Sequence, residues 1–144
     1  MSARSPIVII NHGLTGGSHE SYVRNIVVWL TKPVSQGGLG ARAAVVNVSN
    51  PLPPSHASLT AQFRGCARTP LTSPHLYCSG STLDVHTATM FMTHLYPEAP
   101  IFGVGFSLGA ALMTRYLGEQ GDKCRLRAAV VLCAPLELRA MSRK

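Results

Sequence analysis

The stretch IFGVGFSLGAAL, residues 101–112, sets one serine between an apolar run and a run of good helix formers. The chain must turn sharply at Ser107, and the space for that turn comes from Gly105 and Gly109 on either side of it. Ala110 and Ala111 then let the departing helix lie close to the strand it came from. A strand feeding a helix through so tight a turn is a unit of parallel α/β architecture, and the rest of the chain repeats the alternation. Apolar runs near 6–11, 42–47, 100–105 and 127–133 predict four parallel strands, and helices are predicted near 19–31, 80–96 and 107–120. In the first helix Ser18 is placed to cap, with Tyr22, Ile26, Val27 and Leu30 on one face. In the second, Leu83, Thr87, Met90, Met92 and Leu95 partly suit a helix, and Pro97 suits its end. Gly118 or Gly121 ends the third.

Of the 144 residues, 46% are hydrophobic and 13% charged, which suits strands buried on both faces in one domain. The net charge is +7, but the basic residues are scattered apart from KCRLR at 123–127 and the last few residues. Without a patch interleaved with aromatics, nucleic acid is not expected as a partner. No apolar run reaches the roughly 18 residues of a membrane span, and the apolar stretch in MSARSPIVII is too short for a secretory signal. Cys66, Cys78, Cys124 and Cys133 form no C-x-x-C pair and no metal spacing, so reduced thiols in an intracellular setting are expected, with no metal site.

The segment 48–62, VSNPLPPSHASLTAQ, breaks the alternation with three prolines and no charge. Long structureless connections are uncommon inside compact domains. Residues 48–62 are therefore read as an in-frame insertion, of the kind a retained intron leaves.

Ser107 in Gly-x-Ser-x-Gly is a candidate nucleophile. Acyl transfer also needs two backbone N–H groups aimed at the oxyanion that develops on the attacked carbonyl. Leu108, the residue after the serine, supplies one. NHGLTGG, residues 11–17, follows the first strand directly; Gly13 permits close approach and Leu14 is the second expected donor. A competing pattern uses Gly103, Gly105 and Gly109 as a loose dinucleotide-binding loop. That site requires an acid at the end of the next strand, and the first acid there is Glu137, beyond Pro135.

The ordered set HGLTGG, FRGCA, HLYCSGSTLD and GFSLG resembles an α/β-hydrolase-domain group. It holds the embryogenesis-associated-type esterases and the fungal medium-chain fatty-acid ethyl ester synthase/esterases. The resemblance runs over 6–138 apart from 48–62. It implies a serine esterase, lipase or acyltransferase acting on medium-chain acyl esters or other lipids, with Ser107 as nucleophile and neither metal nor organic cofactor. Arg64 and Gly65 would shape a turn beside the site, unless they are ordinary turn residues. By the family's topology the four strands lie in the spatial order second, first, third, fourth. The fold expected is thus a partial α/β-hydrolase core, with the family's first two and last strands outside this sequence.

In that fold the triad runs serine, acid, histidine. After Ser107 the acids are Glu119, Asp122 and Glu137, and no histidine follows. His12, His19, His56, His75, His86 and His94 all precede the serine. His12 belongs to the oxyanion loop, and His86 and His94 are expected to face solvent or pack against loops. The triad acid and base are therefore expected outside these residues. A second reading follows: a catalytically silent fragment or interaction remnant, self-associating through exposed sheet edges.

Overall fold

The computed structural model describes residues 4–47, 58–62 and 78–137. Five parallel strands form one sheet in the order β3-β2-β1-β4-β5. They are β1 (Ile7–Asn11), β2 (Arg42–Asn47), β3 (Ser58–Gln62), β4 (Ile101–Phe106) and β5 (Leu126–Leu132). The helices are α1 (Ser21–Thr31), α2 (Leu83–Leu95) and α3 (Leu108–Gln120). The four expected strands are present in the expected spatial order. The fifth, β3, lies inside 48–62, where no strand was expected, and pairs with β2 from Ala43–Ser58 to Asn47–Gln62.

All five residues of β1 are buried because the sheet is covered on both faces. Successive side chains point to opposite sides. Ile7, Ile9, Ala44 and Val46 pack with Val85, Ala88 and Met92 of α2 and with Leu112, Met113 and Tyr116 of α3. Val8, Ile10, Ala43 and Val45 pack instead with Val23 and Leu30 of α1. Each such Val, Leu, Ile or Met side chain contributes roughly 1.5–3 kcal/mol when fully removed from water. The layers hold β1 and β4 side by side, from Ile7–Ile101 to Asn11–Gly105, so both strands end at the same edge.

Most of the expected α1 face is kept: Ile26 and Val27 pack against the cluster that holds Leu30. α1 begins after Glu20 without a side-chain cap, so Ser18 does not cap it, and it buries Val23 and Leu30 while Tyr22 sits at its exposed start. α2 buries Asp84, Val85, Ala88, Thr89 and Met92, leaving Leu83, Met90 and Leu95 exposed. Val85, Ala88 and Met92 thus face the sheet and join the cluster that holds Ile7 and Ile9. α3 ends at Gly121, whose φ of 49° lies in the left-handed region.

β5 behaves unlike the inner strands. Val130, Val131 and Leu132 are all exposed, at 57%, 40% and 39%. The described cysteines, Cys78, Cys124 and Cys133, are free thiols. No helix among the described residues is long and apolar enough to cross a membrane.

Candidate active site

Ser107 stands between the end of β4 and the start of α3. Its backbone has φ 50° and ψ −116°, a conformation costly for a residue with a Cβ. The surroundings hold it there. Ser107 N–H donates to Leu132 O at 2.9 Å, and Ser107 O accepts from Ala110 N–H at 3.0 Å and Ala111 N–H at 3.1 Å. The side chain is exposed, and among the described residues no group hydrogen-bonds to its hydroxyl.

The flanking glycines have separate reasons. A Cβ on Gly105 would lie 2.6 Å from Ala110 Cα, so glycine lets α3 rest against β4. A Cβ on Gly109 would run into the backbone carbonyls of Asn11 and His12. Gly109 thus brings the first turn of α3 onto the end of β1 and joins the two sequence motifs in space. Gly13 completes the contact: a Cβ there would sit 3.5 Å from Ser107 Cβ and 3.7 Å from Phe106 O.

The loop 11–17 is held from beneath. His12 is wholly buried, and its Nδ1–H donates to Gly13 O at 2.7 Å. Gly16 N–H also donates to Gly13 O, at 3.1 Å. Gly13 N–H is occupied by the Tyr22 hydroxyl oxygen at 3.0 Å, while Leu14 projects outward. Leu108, at the first position of α3, has no intrahelical acceptor for its N–H, and the positive end of the helix lies there.

Tyr22 is the residue that sequence reasoning missed. Its hydroxyl holds Gly13, and its ring meets Phe106 edge-on with centroids 4.8 Å apart. It therefore ties the glycine loop to the residue before the serine. Spacing carried no sign of this, since the contact spans nine residues in one direction and 84 in the other.

The remaining polar candidates are dispersed. Glu119 lies near the far end of α3, about 18 Å along the helix from Ser107 at 1.5 Å per residue. It accepts from Thr82 Oγ1 and Arg115 Nε, and these bonds hold its carboxyl below the usual range. Asp122 and Glu137 are exposed. His19 is exposed beside Glu20, His94 is exposed, and the ring of His86 stands 6.0 Å from that of Tyr116. Arg64, Gly65, Cys66, His56 and His75 lie outside the described residues. No group of three metal-ligating side chains occurs among the described ones.

Burial pushes the His12 pKa below its ordinary value of 6.5, and the bond to Gly13 O only partly opposes this. The folded state therefore binds fewer protons than the unfolded state just below pH 6.5. The resulting stability is present in full above 6.5 and is lost as the pH falls from there toward the depressed folded value. Thermal melts from pH 7.5 down to 5.5 should show a falling midpoint. A midpoint independent of pH across that window contradicts a buried neutral His12.

No family model matches the chain. It is 36% identical over 133 residues to a monoacylglycerol lipase of Saccharomyces cerevisiae, covering 92% of this chain and 25% of that protein. It is 35% identical over 133 residues to the medium-chain fatty acid ethyl ester synthase/esterase 2 of the same yeast, again covering 92% and 25%. A solved Pyrococcus furiosus esterase superposes with a TM-score of 0.63 at 22% identity, over 94% of this chain and 44% of that one, which shows the shared fold. The chain spans about a quarter of the length of these curated relatives. With its parallel sheet and the glycine-flanked serine between β4 and α3, the chain has the α/β-hydrolase fold, and over most of its length its sequence is homologous to these lipases and ester synthase/esterases.

Proposed function

We propose that Ser107 is the nucleophile of a carboxylic ester hydrolase or acyltransferase. One observation supports this most: the strained Ser107 backbone at the end of β4, with the Gly13 loop packed against it. In the reaction, Ser107 Oγ attacks the ester carbonyl and loses its proton to a base. The Leu14 and Leu108 N–H groups receive the negative charge that develops on the carbonyl oxygen. Collapse expels the alcohol with a proton, leaving an acyl-Ser107 ester. Water then releases the acid, or a second alcohol takes the acyl group. The substrate we infer is a small acyl ester or lipid of medium chain length, in line with the names of the yeast relatives.

The base is the part these residues do not supply. No histidine follows Ser107 in the sequence, and His12, the histidine in the adjacent loop, is buried and engaged with Gly13. We therefore read the 144 residues alone as catalytically silent. The test is a fusion in which the acid- and histidine-bearing segment of a relative follows residue 138. It should hydrolyse p-nitrophenyl octanoate, and its Ser107→Ala variant should lose about 10⁴-fold or more in turnover. Equal activity in the two fusions refutes the assignment.

The exposed apolar residues of β5, at the edge of the sheet, support a second expectation. An open strand edge with unpaired N–H and C=O groups recruits other strands. The 144-residue chain should sediment as associated species. A single monomeric boundary over a wide concentration range contradicts this.

A further inference from the structure

At the end of the sheet opposite Ser107, a cavity of about 210 Å³ opens between the end of α2 and the starts of β4 and β5. At about 30 Å³ per liquid water it has room for roughly seven waters, ample for one tetrahedral oxyanion. Its wall includes Tyr96, Glu98, Arg125 and Arg127. Neither Arg125 nor Arg127 has an ion-pair partner among the described residues. Glu98, the carboxylate of the wall, lies 3.8 Å from Arg4, and the Arg42 guanidinium lies over the Tyr96 ring at 4.2 Å. Four guanidinium groups thus gather around this end of the sheet against one wall carboxylate.

The backbone shapes the pocket as well. β5 pairs Leu126 with Ile101 and Ala128 with Phe102, so Arg127 is passed over in the register. An extra residue of this kind bends the strand and re-aims its side chain. Planar guanidinium groups match phosphate oxygens two at a time, more closely than an ammonium group does.

We propose that this cavity binds a phosphate group, carried either by a small soluble ligand or by a lipid headgroup. The site is separate from the ester chemistry: the six residues of β4 place it about 20 Å from Ser107 at the usual rise per residue. The inference stands whether or not Ser107 reacts.

The experiment is arginine modification by phenylglyoxal on the full chain, mapped by mass spectrometry, with and without inorganic phosphate at constant ionic strength. Phosphate should slow modification of Arg125 and Arg127 about tenfold, as a charge-assisted bidentate contact implies, and leave exposed Arg24 unchanged. A parallel arm uses phosphatidylcholine vesicles with and without phosphatidate. Protection by free phosphate without vesicle binding identifies a soluble ligand, and phosphatidate-dependent protection alone identifies a headgroup. The R125Q/R127Q double variant, altered at two exposed side chains, should lose phosphate binding about tenfold in equilibrium dialysis. Absence of protection from both sources, equal slowing at Arg24, or undiminished binding by R125Q/R127Q overturns the proposal.

Discussion

The 144-residue chain should leave p-nitrophenyl octanoate uncleaved and Ser107 unlabelled by a fluorophosphonate probe. A serine hydroxyl without a base stays protonated near neutral pH and is a weak nucleophile. Loss of a triad member costs about 10⁴–10⁶ in turnover because the members act as a unit. On the reading proposed above, the Leu14 and Leu108 N–H groups still favour an oxyanion, which leaves a small residue of rate. Imidazole added to the solution provides a base without altering the chain. Labelling of Ser107 should therefore rise with imidazole concentration. Robust Ser107-dependent turnover without imidazole would show that a histidine upstream of the serine, His12 or His75, acts as base.

The second large effect belongs to Gly109. Alanine is the better helix former by about 1 kcal/mol, so propensity alone favours Gly109→Ala. The Cβ, however, would enter the space of the Asn11 and His12 carbonyl groups, and backbone cannot swing aside as a flexible side chain can. Overpacking of this kind costs about 3 kcal/mol, which outweighs the helical gain. The substitution should destabilise the chain and move the Gly13 loop away from Ser107. Gly118 is an internal control on the same helix. A Cβ there meets nothing within 4 Å, so Gly118→Ala should stabilise by about 0.5–1 kcal/mol. Equal effects of the two substitutions on denaturant midpoints contradict the close approach of α3 to β1.

The inner strands were legible in the sequence because burial on both faces leaves an unbroken apolar run, as in Ile7 to Ile10. The Ser107 turn was legible because its glycines answer to local sterics. β3 was not: Ser58 to Gln62 carries little apolar pattern and follows three prolines, and its pairing with β2 is a long-range event. The buried face of α2 was not legible, because its apolar residues are spread around the helix: Met90 and Leu95 are exposed while Ala88 and Thr89 are buried beside Val85 and Met92. Periodicity puts Tyr22 on an apolar helix face, and its hydroxyl bond to Gly13 depends on where the loop lands in space. The register slip at Arg127 is likewise a property of the pair of strands.

We propose Ser107 Oγ as the acyl-accepting atom of an α/β-hydrolase site. This assignment is tested most directly by treating the fusion that supplies an acid and a histidine with a fluorophosphonate and mapping the adduct by peptide mass spectrometry. One modified residue is expected, Ser107, in the peptide containing Phe106 and Leu108, and no adduct in the Ser107→Ala variant. A catalytically active fusion modified at a different residue, or one still labelled after Ser107→Ala, contradicts it.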